Sequence, residues 1–369
     1  MDWCSEKNMI IAILTPIYFP ATGGASEHYS LVSKYGDSFH NIAFDIYTER
    51  KYSHNREKFN ERVIEIFPER AGKTVSSFKN YFLFALQNIL YFKFLVKVCN
   101  SNYNIIIVHS SFLNPTSAFP VVLKLLRLIL NTRKTKLVLD VRDNQLPKHK
   151  YHLLSQFDKV ITCSDIFYNK ISSLKRINHK IYYAPVAINE QEMNDLSPIS
   201  NIKADFFLLY VGLIKKEKGA RLLLEIFVEA YGCNSSVSLV MIGKVRDRKI
   251  VQDYSFCKNV FFAGEAGHNE VLSYVKYSKM VVIPSLSEGV PRIALEAISL
   301  KKPVLLPSNI PEFDKVCDIN IIKSHTTSYL SKKLTEEAPP CSSYDIEKHY
   351  YLNSMNVYFN AMFDNMGVE

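Results

Sequence analysis

Short apolar runs that alternate with helical stretches constrain this chain more than any other feature of its sequence. The first half carries strand-like runs such as IIAIL (residues 10–14) and KLVLDV (136–141), with helical stretches between most of them, notably over 76–100 and 117–131. Apolar runs separated by helices are typical of parallel sheets that are covered on both faces. The sequence therefore predicts an α/β fold.

The alternation stops at a polar stretch and then begins again. Residues 188–205 are rich in Asn, Asp, Glu, Ser and Pro, which indicates a connection between two domains. Beyond it, the runs FFLLYVG, VSLVMIG, NVFFAG, MVVIPS and PVLLP are again separated by helices. We expect a first domain over 1–190, a second over 191–342, and a C-terminal helix within 343–369 that crosses back to the first domain.

The basic charge of the chain belongs to its first half. Residues 1–195 contain 25 Lys and Arg against 17 Asp and Glu, a net charge of +8, whereas the remainder has 20 against 19, or +1. A basic face fits nucleic acid, anionic lipid or a phosphorylated substrate. No recognisable nucleic-acid-binding motif is present, so the charge favours lipid or phosphate, and we expect no nucleic-acid partner.

Cysteine usage and the apolar segments indicate the compartment. The seven cysteines show no paired spacing, so we expect no disulfide framework, no zinc site and a reducing environment. No secretory signal is evident. The most apolar stretch, residues 81–98, is too interrupted for a transmembrane helix because it contains Gln87, Asn88, Lys93 and Lys97. We expect a cytoplasmic protein.

The segment SEGVPRIALEA (residues 287–297) places two glutamates on either side of a strand-to-helix turn. Glu288 precedes the predicted helix, whose first residue we expect to be Pro291, and Glu296 lies inside it. The free N–H groups and positive dipole end of the helix lie between them and could hold a phosphate. The spacing alone equally fits an exposed Arg292–Glu296 ion pair and a solvated acid at Glu288.

Several stretches in order resemble the retaining glycosyltransferases of family 4. TPIYFPATGGASEHYSLVSKY (15–35) is similar to the family's first strand, double-glycine loop and helix, and YVGLIKKEKGARLLLEIF (210–227) is similar to its donor loop. VMIGK (240–244) and residues 260–313 match later family segments, and the likeness over 104–190 is loose. The resemblance implies the GT-B fold, in which two doubly wound, Rossmann-like domains face a central cleft.

The resemblance also implies roles for individual residues. Glu288 would contact the transferred sugar, Glu296 would accept the ribose hydroxyls of the nucleotide, and Lys218 would neutralise the leaving diphosphate. The residues that would lie beside the diphosphate are Gly23, Gly24, Gly289, Val290, Pro291 and Arg292. The chain has no Asp-x-Asp motif, so we expect neither a metal ion nor another cofactor.

Simpler interpretations and departures from the family stay open. Lys218 ends the charged run KKEK and also fits a solvated surface lysine, and Gly23–Gly24 also fits an ordinary turn. Leu213 stands where the family has an arginine. The family histidine after the fifth strand is missing, and that strand end instead resembles a bacterial polysaccharide subgroup. The catalytic candidates there are Arg142, Asp143 and His109, and a locally bonded histidine fits His109 equally well.

The resemblance implies a retaining glycosyltransferase that uses a nucleotide-diphosphate sugar. Its acceptor would be a lipid-linked or membrane-proximal glycan in cell-surface polysaccharide synthesis, as for lipopolysaccharide or capsule. A catalytically silent GT-B subunit that binds a partner or glycan, and a GT-B sugar-nucleotide epimerase, are the alternatives. Two basic amphipathic stretches, 81–98 and 120–136, predict peripheral contact with an anionic leaflet, although they also fit helices that merely cover the first sheet.

Overall fold

The structure is a computed structural model in which the chain divides into two compact units. The first comprises residues 1–187 and 352–369, and the second comprises residues 188–351. The residues that the structure describes are 9–18, 23–49, 61–67, 92–113, 119–142, 146, 148–174, 177, 180–199, 206–285, 288–307, 310–313, 316, 320–322 and 327–364.

The first unit is built on a seven-stranded sheet. Its strands are β1 Ile10–Leu14, β2 Ala43–Glu49, β3 Glu61–Phe67, β4 Ile105–His109, β5 Lys136–Val141, β6 Lys159–Thr162 and β7 Ile181–Tyr183. They are all parallel and follow the order β3-β2-β1-β4-β5-β6-β7. The helices between them are α1 Gly24–His40, α2 described over 92–99, α3 Phe119–Leu130 and α4 Asp165–Ser172.

Burial on both faces explains the continuous apolar runs of the central strands. Every residue of β4 is buried, and so are all residues of β1 except Ile10. α3 covers the sheet with Leu123, Leu126 and Leu130, which pack into the same core as the residues of β4 and β5. Burying a leucine side chain contributes about 1.5–3 kcal/mol, so this apolar face fixes the helix on the sheet.

The second unit repeats the plan with a six-stranded sheet. Its strands are β8 Phe206–Val211, β9 Val237–Ile242, β10 Val260–Gly264, β11 Met280–Val282, β12 Val304–Pro307 and β13 Asn320–Ile322. They are parallel, in the order β10-β9-β8-β11-β12-β13. Its helices are α5 Ala220–Tyr231, α6 Arg248–Asp253, α7 His268–Tyr277, α8 Arg292–Ser299 and α9 Thr327–Thr335. The predicted α/β fold with two doubly wound sheets is confirmed.

The last helix, α10 Tyr351–Phe363, packs almost entirely on the first unit. Ser354 donates a hydrogen bond to the Pro185 carbonyl at 2.8 Å. The buried Lys159 ammonium donates to the carbonyls of Ala361 (2.9 Å) and Asp364, at the carboxyl end of the helix. A cation at this end complements the helix dipole, so Lys159 joins the end of α10 to β6.

Two cysteines of the second unit form a disulfide. Cys233 follows α5 and Cys257 follows α6, with their Cα atoms 4.3 Å apart. We expected no disulfide framework because the cysteines show no paired spacing, but the fold joins this one pair, whose members are 24 positions apart in sequence. Among the residues that the structure describes, Cys99, Cys163 and Cys341 form no disulfide.

Glycines shape the carboxyl edge of the second sheet. Gly243 has a φ of +138°, and a Cβ there would lie 2.0 Å from the Gly212 carbonyl oxygen. Gly219 has a φ of +71°, and its Cβ would lie 2.0 Å from the Pro284 carbonyl oxygen. Both positions therefore need glycine for space as well as for backbone conformation, and they let the loops after β8, β9 and β11 approach closely.

We predict that Gly219→Ala destabilises the second unit more than Gly232→Ala does. Both glycines have a φ near +70°, but nothing lies within 4 Å of a Cβ at Gly232. Gly232 has a ψ of −174°, outside the left-handed helical region, so Gly232→Ala should cost about 1–3 kcal/mol from backbone strain alone. Gly219→Ala combines the left-handed penalty of about 1–2 kcal/mol with a clash against the Pro284 backbone, which should add more than the difference in strain. The free energies of unfolding in urea measure the difference, and equal values would show that Pro284 does not constrain Gly219.

Candidate functional site

The loop after β8 carries the predicted Lys218 at the carboxyl edge of the second sheet. A short 3₁₀ turn, Lys216–Lys218, leads through Gly219 into α5. The Tyr210 hydroxyl donates to the Leu213 carbonyl at 2.8 Å, which fixes the start of this loop. Leu213, which replaces the expected arginine, is 37% exposed.

Lys218 and Glu288 form an ion pair. Lys218 Nζ donates to Glu288 Oε1 at 2.8 Å, and the two side chains are 33% and 18% exposed. They meet because Glu288 follows β11, which pairs with β8 in the sheet. A partly solvated pair contributes about 1 kcal/mol or less, so Lys218 can exchange this partner for another anion. Burial, and then the Glu288 charge, raise the pKa of the nearby Tyr210 phenol well above its ordinary value.

Gly289, Val290 and Pro291 connect Glu288 to α8. Pro291 has an extended ψ of 116°, and its carbonyl accepts hydrogen bonds from the Ala294 N–H at 2.9 Å and the Leu295 N–H at 3.4 Å. The prediction that Pro291 is the first helical residue is therefore wrong by one position: Pro291 caps the helix, which begins at Arg292. The N–H groups of Arg292 and Ile293 precede these bonds and have no acceptor within the helix itself.

Glu296 lies inside α8 and is 3% exposed. Its Oε1 accepts hydrogen bonds from Arg292 Nε at 2.8 Å and from His268 Nε2 at 2.9 Å. Burial by itself would raise the pKa of this carboxyl, but His268 and Arg292 together hold it below its ordinary value. The interpretation of Arg292 and Glu296 as an exposed surface pair is therefore wrong. Arg292 Nη2 is also buried and has no hydrogen-bond partner among the described residues.

His268 was not predicted from the sequence as a site residue. It is the first residue of α7, and its Nδ1 lies 2.8 Å from Glu192 Oε2 while its Nε2 contacts Glu296. Burial would lower the pKa of His268, but the two carboxylates raise it to about 10. Asn189 Nδ2 donates in turn to Glu192 Oε1 at 2.7 Å. No local signal could have found this pairing, because 76 residues separate His268 from Glu192.

The first unit places the double-glycine segment at the start of α1. Gly24 is the first helical residue, and the Gly23 carbonyl accepts a hydrogen bond from the Glu27 N–H at 3.1 Å. The next turn of α1 carries two buried aromatic side chains, His28 and Tyr29. His28 Nε2 lies 3.2 Å from Asp140 Oδ2, so the start of α1 is joined to the end of β5.

Arg142 follows β5 and is held by a fully buried carboxylate. Arg142 Nε donates to Asp140 Oδ1 at 2.6 Å, and the Tyr358 ring of α10 lies under the guanidinium group, 5.0 Å from its carbon. Arg142 Nη1 and Nη2 are buried and have no hydrogen-bond partner among the described residues. Burial opposes ionisation of Asp140, but Arg142 and His28 keep its pKa well below its ordinary value. Asp143, the second predicted residue here, lies outside the described residues.

His109 ends β4, and its register partner in β5 is Asp140. Its Nδ1 accepts the Ser111 N–H at 3.1 Å and lies 2.8 Å from the Ser111 hydroxyl oxygen. The Tyr29 ring packs edge-on against it, with 6.0 Å between the ring centres. The structure thus brings His109 and Arg142 to neighbouring strand ends, together with His28, Asp140 and Tyr358, which the sequence did not single out.

The outer sides of α2 and α3 combine apolar and basic side chains. We call this set the α2–α3 outer face: Phe92, Lys93, Val96, Lys97, Lys124, Leu125 and Leu128, all exposed. Its four apolar members are between 43% and 66% exposed. Arg133 is not free to join them, because it donates hydrogen bonds to the carbonyls of Val98, Cys99 and Ser101 at the end of α2. Within the described residues, no helix is long and apolar enough to cross a bilayer.

Metal-ligating residues do not cluster in the part of the chain that the structure describes: it contains no group of three or more His, Cys, Asp or Glu side chains that could hold an ion. The polar side chains at the carboxyl edges instead form carboxylate–cation pairs. In the second unit these are Lys218–Glu288 and Arg292–Glu296–His268. In the first unit they are Arg142–Asp140–His28.

Comparison with solved structures defines the fold. Anabaena HepE (Alr3699), solved with UDP and glucose, superposes with a TM-score of 0.68 at 12% identity, over 97% of this chain and 100% of that chain. The lipopolysaccharide outer core galactosyltransferase WaaB gives 0.62 at 15% identity, over 96% and 99% of the two chains. Sucrose-phosphate synthase of Thermosynechococcus elongatus gives 0.63 at 14% identity, over 97% and 96%. The chain has the GT-B fold of these proteins.

The match to a family model lies within the second unit. Residues 193–333 match the family model described as Glycosyl transferases group 1, a range that includes Lys218, His268, Glu288 and Glu296. A protein of Methanocaldococcus jannaschii, described as an uncharacterized glycosyltransferase, is 25% identical over 231 residues. That match covers 55% of this chain and 55% of the relative, so the chain spans about half the length of the curated relative that it matches.

Proposed function

We propose that the protein is a retaining glycosyltransferase that uses a nucleotide-diphosphate sugar. The observation behind the proposal is the ion pair between Lys218 and Glu288, which lies close in sequence to the buried Glu296. All three residues lie inside the segment that matches group 1 glycosyl transferases. UDP or UDP-glucose is bound in the solved HepE structures, which supports a nucleotide-sugar donor here.

In this proposal, different groups of the site bind the ribose and the diphosphate of the donor. Glu296 accepts the two ribose hydroxyls, for which an ionised carboxylate is suited because it only accepts hydrogen bonds. Lys218 turns from Glu288 to the diphosphate, and the first N–H groups of α8 face the same phosphates. Gly23 and Gly24 remain donor-phosphate candidates of the first unit.

The transfer step keeps the configuration of the sugar. The acceptor hydroxyl attacks the anomeric carbon on the face that the diphosphate leaves. The bond between that carbon and the phosphate oxygen breaks, and the leaving phosphate takes the hydroxyl proton. Glu288 stabilises the positive charge that develops on the sugar, while Lys218 stabilises the negative charge on the diphosphate. Arg142, His109 and Asp143 remain the catalytic candidates of the first unit.

The acceptor that we propose is a lipid-linked or membrane-proximal glycan used in cell-surface polysaccharide synthesis. WaaB, a lipopolysaccharide galactosyltransferase, supports it as a structural neighbour over nearly the whole chain. The α2–α3 outer face supports it from this chain's own residues, because apolar side chains flanked by lysines suit the surface of an anionic leaflet. The protein would then act as a peripheral membrane enzyme.

We predict that Glu296 and Glu288 affect different kinetic parameters. Glu296→Gln keeps the shape of the buried side chain but removes its charge. Hydrogen bonds to charged groups contribute about 1.5–3 kcal/mol, so the wild type should bind a ribonucleotide at least roughly tenfold more tightly than its 2′-deoxy form. That ratio should fall in Glu296→Gln, because a neutral amide oxygen accepts a weaker hydrogen bond that contributes only about 0.5–1.5 kcal/mol. Glu288→Gln should lower the turnover of donor hydrolysis more than donor affinity.

Calorimetry with UDP, GDP and ADP, each against its 2′-deoxy form, measures the first effect. Hydrolysis of the matching nucleotide sugars, followed by NMR of the first-formed sugar anomer, measures turnover and retention. Glu270→Gln is the matched control, because Glu270 is an exposed glutamate on α7. An unchanged ribose preference in Glu296→Gln would contradict its assigned contact, and inversion at the anomeric carbon would contradict the retaining mechanism.

We predict that transfer needs no metal ion. The ammonium of Lys218 and the N–H groups that begin α8 stabilise the negative charge on the leaving diphosphate. A divalent cation stabilises this charge in metal-dependent enzymes. Activity measured with and without EDTA should be the same within roughly twofold. Activity that EDTA abolishes and magnesium or manganese restores would refute this part of the mechanism.

We predict that the protein binds anionic vesicles through the α2–α3 outer face. Each lysine near an anionic surface contributes about 1 kcal/mol, so Lys93→Glu, Lys97→Glu and Lys124→Glu together should weaken binding by roughly a hundredfold or more. Co-sedimentation with phosphatidylcholine vesicles, with and without phosphatidylglycerol, measures this at low and high salt. Charge reversal of three exposed lysines of the second unit, Lys249, Lys258 and Lys332, is the control. Equal losses in both triple variants would refute this specific surface.

A further inference from the structure

Glu296 faces a physical difficulty in the role proposed for it. A carboxylate that is 3% exposed loses its hydration, which favours the protonated form. A protonated carboxyl has an O–H to donate and can no longer accept hydrogen bonds equally at both oxygens. The residue therefore needs fixed cations that keep it ionised and leave room for the ribose.

The two cations that touch Glu296 share one of its oxygens. Arg292 Nε and His268 Nε2 both donate to Oε1, at 2.8 and 2.9 Å. Among the described residues, no hydrogen bond reaches Oε2. Arg292 comes from the same helix, one turn earlier, so it holds the side chain along α8 only. His268 comes from α7 and holds the carboxylate from a second direction.

His268 is itself held by a second carboxylate. Glu192 Oε2 lies 2.8 Å from His268 Nδ1, and Glu192 Oε1 accepts a hydrogen bond from Asn189 at 2.7 Å. Both nitrogens of the imidazole thus face carboxylate oxygens, and two carboxylates favour the doubly protonated, cationic ring. The hydrogen-bond network Asn189–Glu192–His268–Glu296 lies wholly in the second unit.

We propose that His268 is a positioning residue for donor binding: with its orientation fixed by Glu192, it holds Glu296 ionised through Oε1 and leaves Oε2 for the ribose hydroxyls. This inference rests on the proposed function, because the ribose contact is part of it. No family segment described above assigns a role to His268 or to Glu192. A purely structural link between α7 and α8 is the competing interpretation.

The two interpretations differ in their dependence on pH. The charged groups that face His268 among the described residues are Glu192, Glu296 and Arg292. The pKa of His268 is raised to about 10 and that of Glu296 is lowered, so the network keeps its charges throughout the neutral range. Nucleotide affinity in the wild type should therefore show no contribution from this network between about pH 6 and about pH 9.

Removal of the cationic ring should lower nucleotide affinity only where Glu296 would otherwise take up a proton, at the acid end of the pH profile. His268→Gln keeps a hydrogen-bond donor but removes the cation, so the pKa of Glu296 rises and nucleotide affinity falls as the pH decreases. Glu192→Gln removes one of two carboxylates, so the pKa of His268 falls toward its ordinary value near 6.5, but Glu296 ionises without a cationic ring at alkaline pH, and affinity there should stay near that of the wild type. A merely structural link predicts losses that do not change with pH.

Calorimetry with UDP, GDP and ADP at about pH 6, 7.5 and 9 tests this, with each variant expressed relative to the wild type so that titration of the nucleotide cancels. We expect a loss of roughly tenfold or more at the acid end for His268→Gln, which disappears at about pH 9, and near-wild-type affinity at about pH 9 for Glu192→Gln. Glu270→Gln, an exposed change on α7, should match the wild type at every pH.

An NMR titration of the His268 ring, without nucleotide, separates this inference from the proposed function. We expect no titration below about pH 9 in the wild type and a clearly lower pKa in Glu192→Gln. Normal nucleotide binding with a flat profile in His268→Gln, or a wild-type ring that titrates near its ordinary pKa, would overturn the role of His268 alone. A wild type that binds none of the three nucleotides would overturn the proposed function, and the ribose contact with it.

Discussion

The parallel direction of the strands is the constraint on which both sites depend. Parallel strands end at the same edge of a sheet, so the loops that follow them meet there whatever their distance in sequence. In the second unit this brings Lys218, after β8, to within hydrogen-bond distance of Glu288, after β11. In the first unit it sets His109, at the end of β4, opposite Asp140 near the end of β5. Gly219 and Gly243 allow the loops at the edge of the second sheet to approach each other, because a side chain at either position would collide with a neighbouring loop.

Each unit buries one carboxylate against an arginine and a histidine. Asp140 contacts Arg142 and His28 in the first unit, and Glu296 contacts Arg292 and His268 in the second. Buried ion pairs contribute little net stability, because the loss of hydration offsets their attraction. Removing one partner is nevertheless costly, about 3–5 kcal/mol, because the other charge is left uncompensated. Such arrangements therefore fix the geometry of a site better than they stabilise a fold.

The sequence predicted the elements of this fold well where an apolar run marked a strand. KLVLDV coincides with β5 and IIAIL with β1. The three-residue strand β13 and the six-residue helix α6 are too short to give a periodic signal. Glu288, Glu296 and Lys218 were selected through a family resemblance, whereas their spacing alone left a surface pair equally possible.

What the sequence did not contain was the set of long-range pairs. His268 meets a glutamate 76 residues before it and another 28 residues after it, and Cys233 meets Cys257 in the same way. Tyr358 reaches Asp140 across 218 positions, because α10 returns to the first unit. Hydrophobic periodicity specifies which face of an element is buried, but not which polar side chains meet at the end of a sheet. These contacts follow from topology.

Glu288 and Glu296 differ in a way that matches the proposed reaction. The ribose keeps its charge and shape throughout transfer, and the residue assigned to it, Glu296, is buried and held by groups from two helices. The diphosphate and the anomeric carbon change charge as the bond between them breaks. The residues assigned to them, Lys218 and Glu288, form a partly solvated pair that can separate at a cost of about 1 kcal/mol or less. A rigid contact suits the part of the donor that stays constant. An exchangeable ion pair suits the part where opposite charges develop, because each member can stabilise one of them.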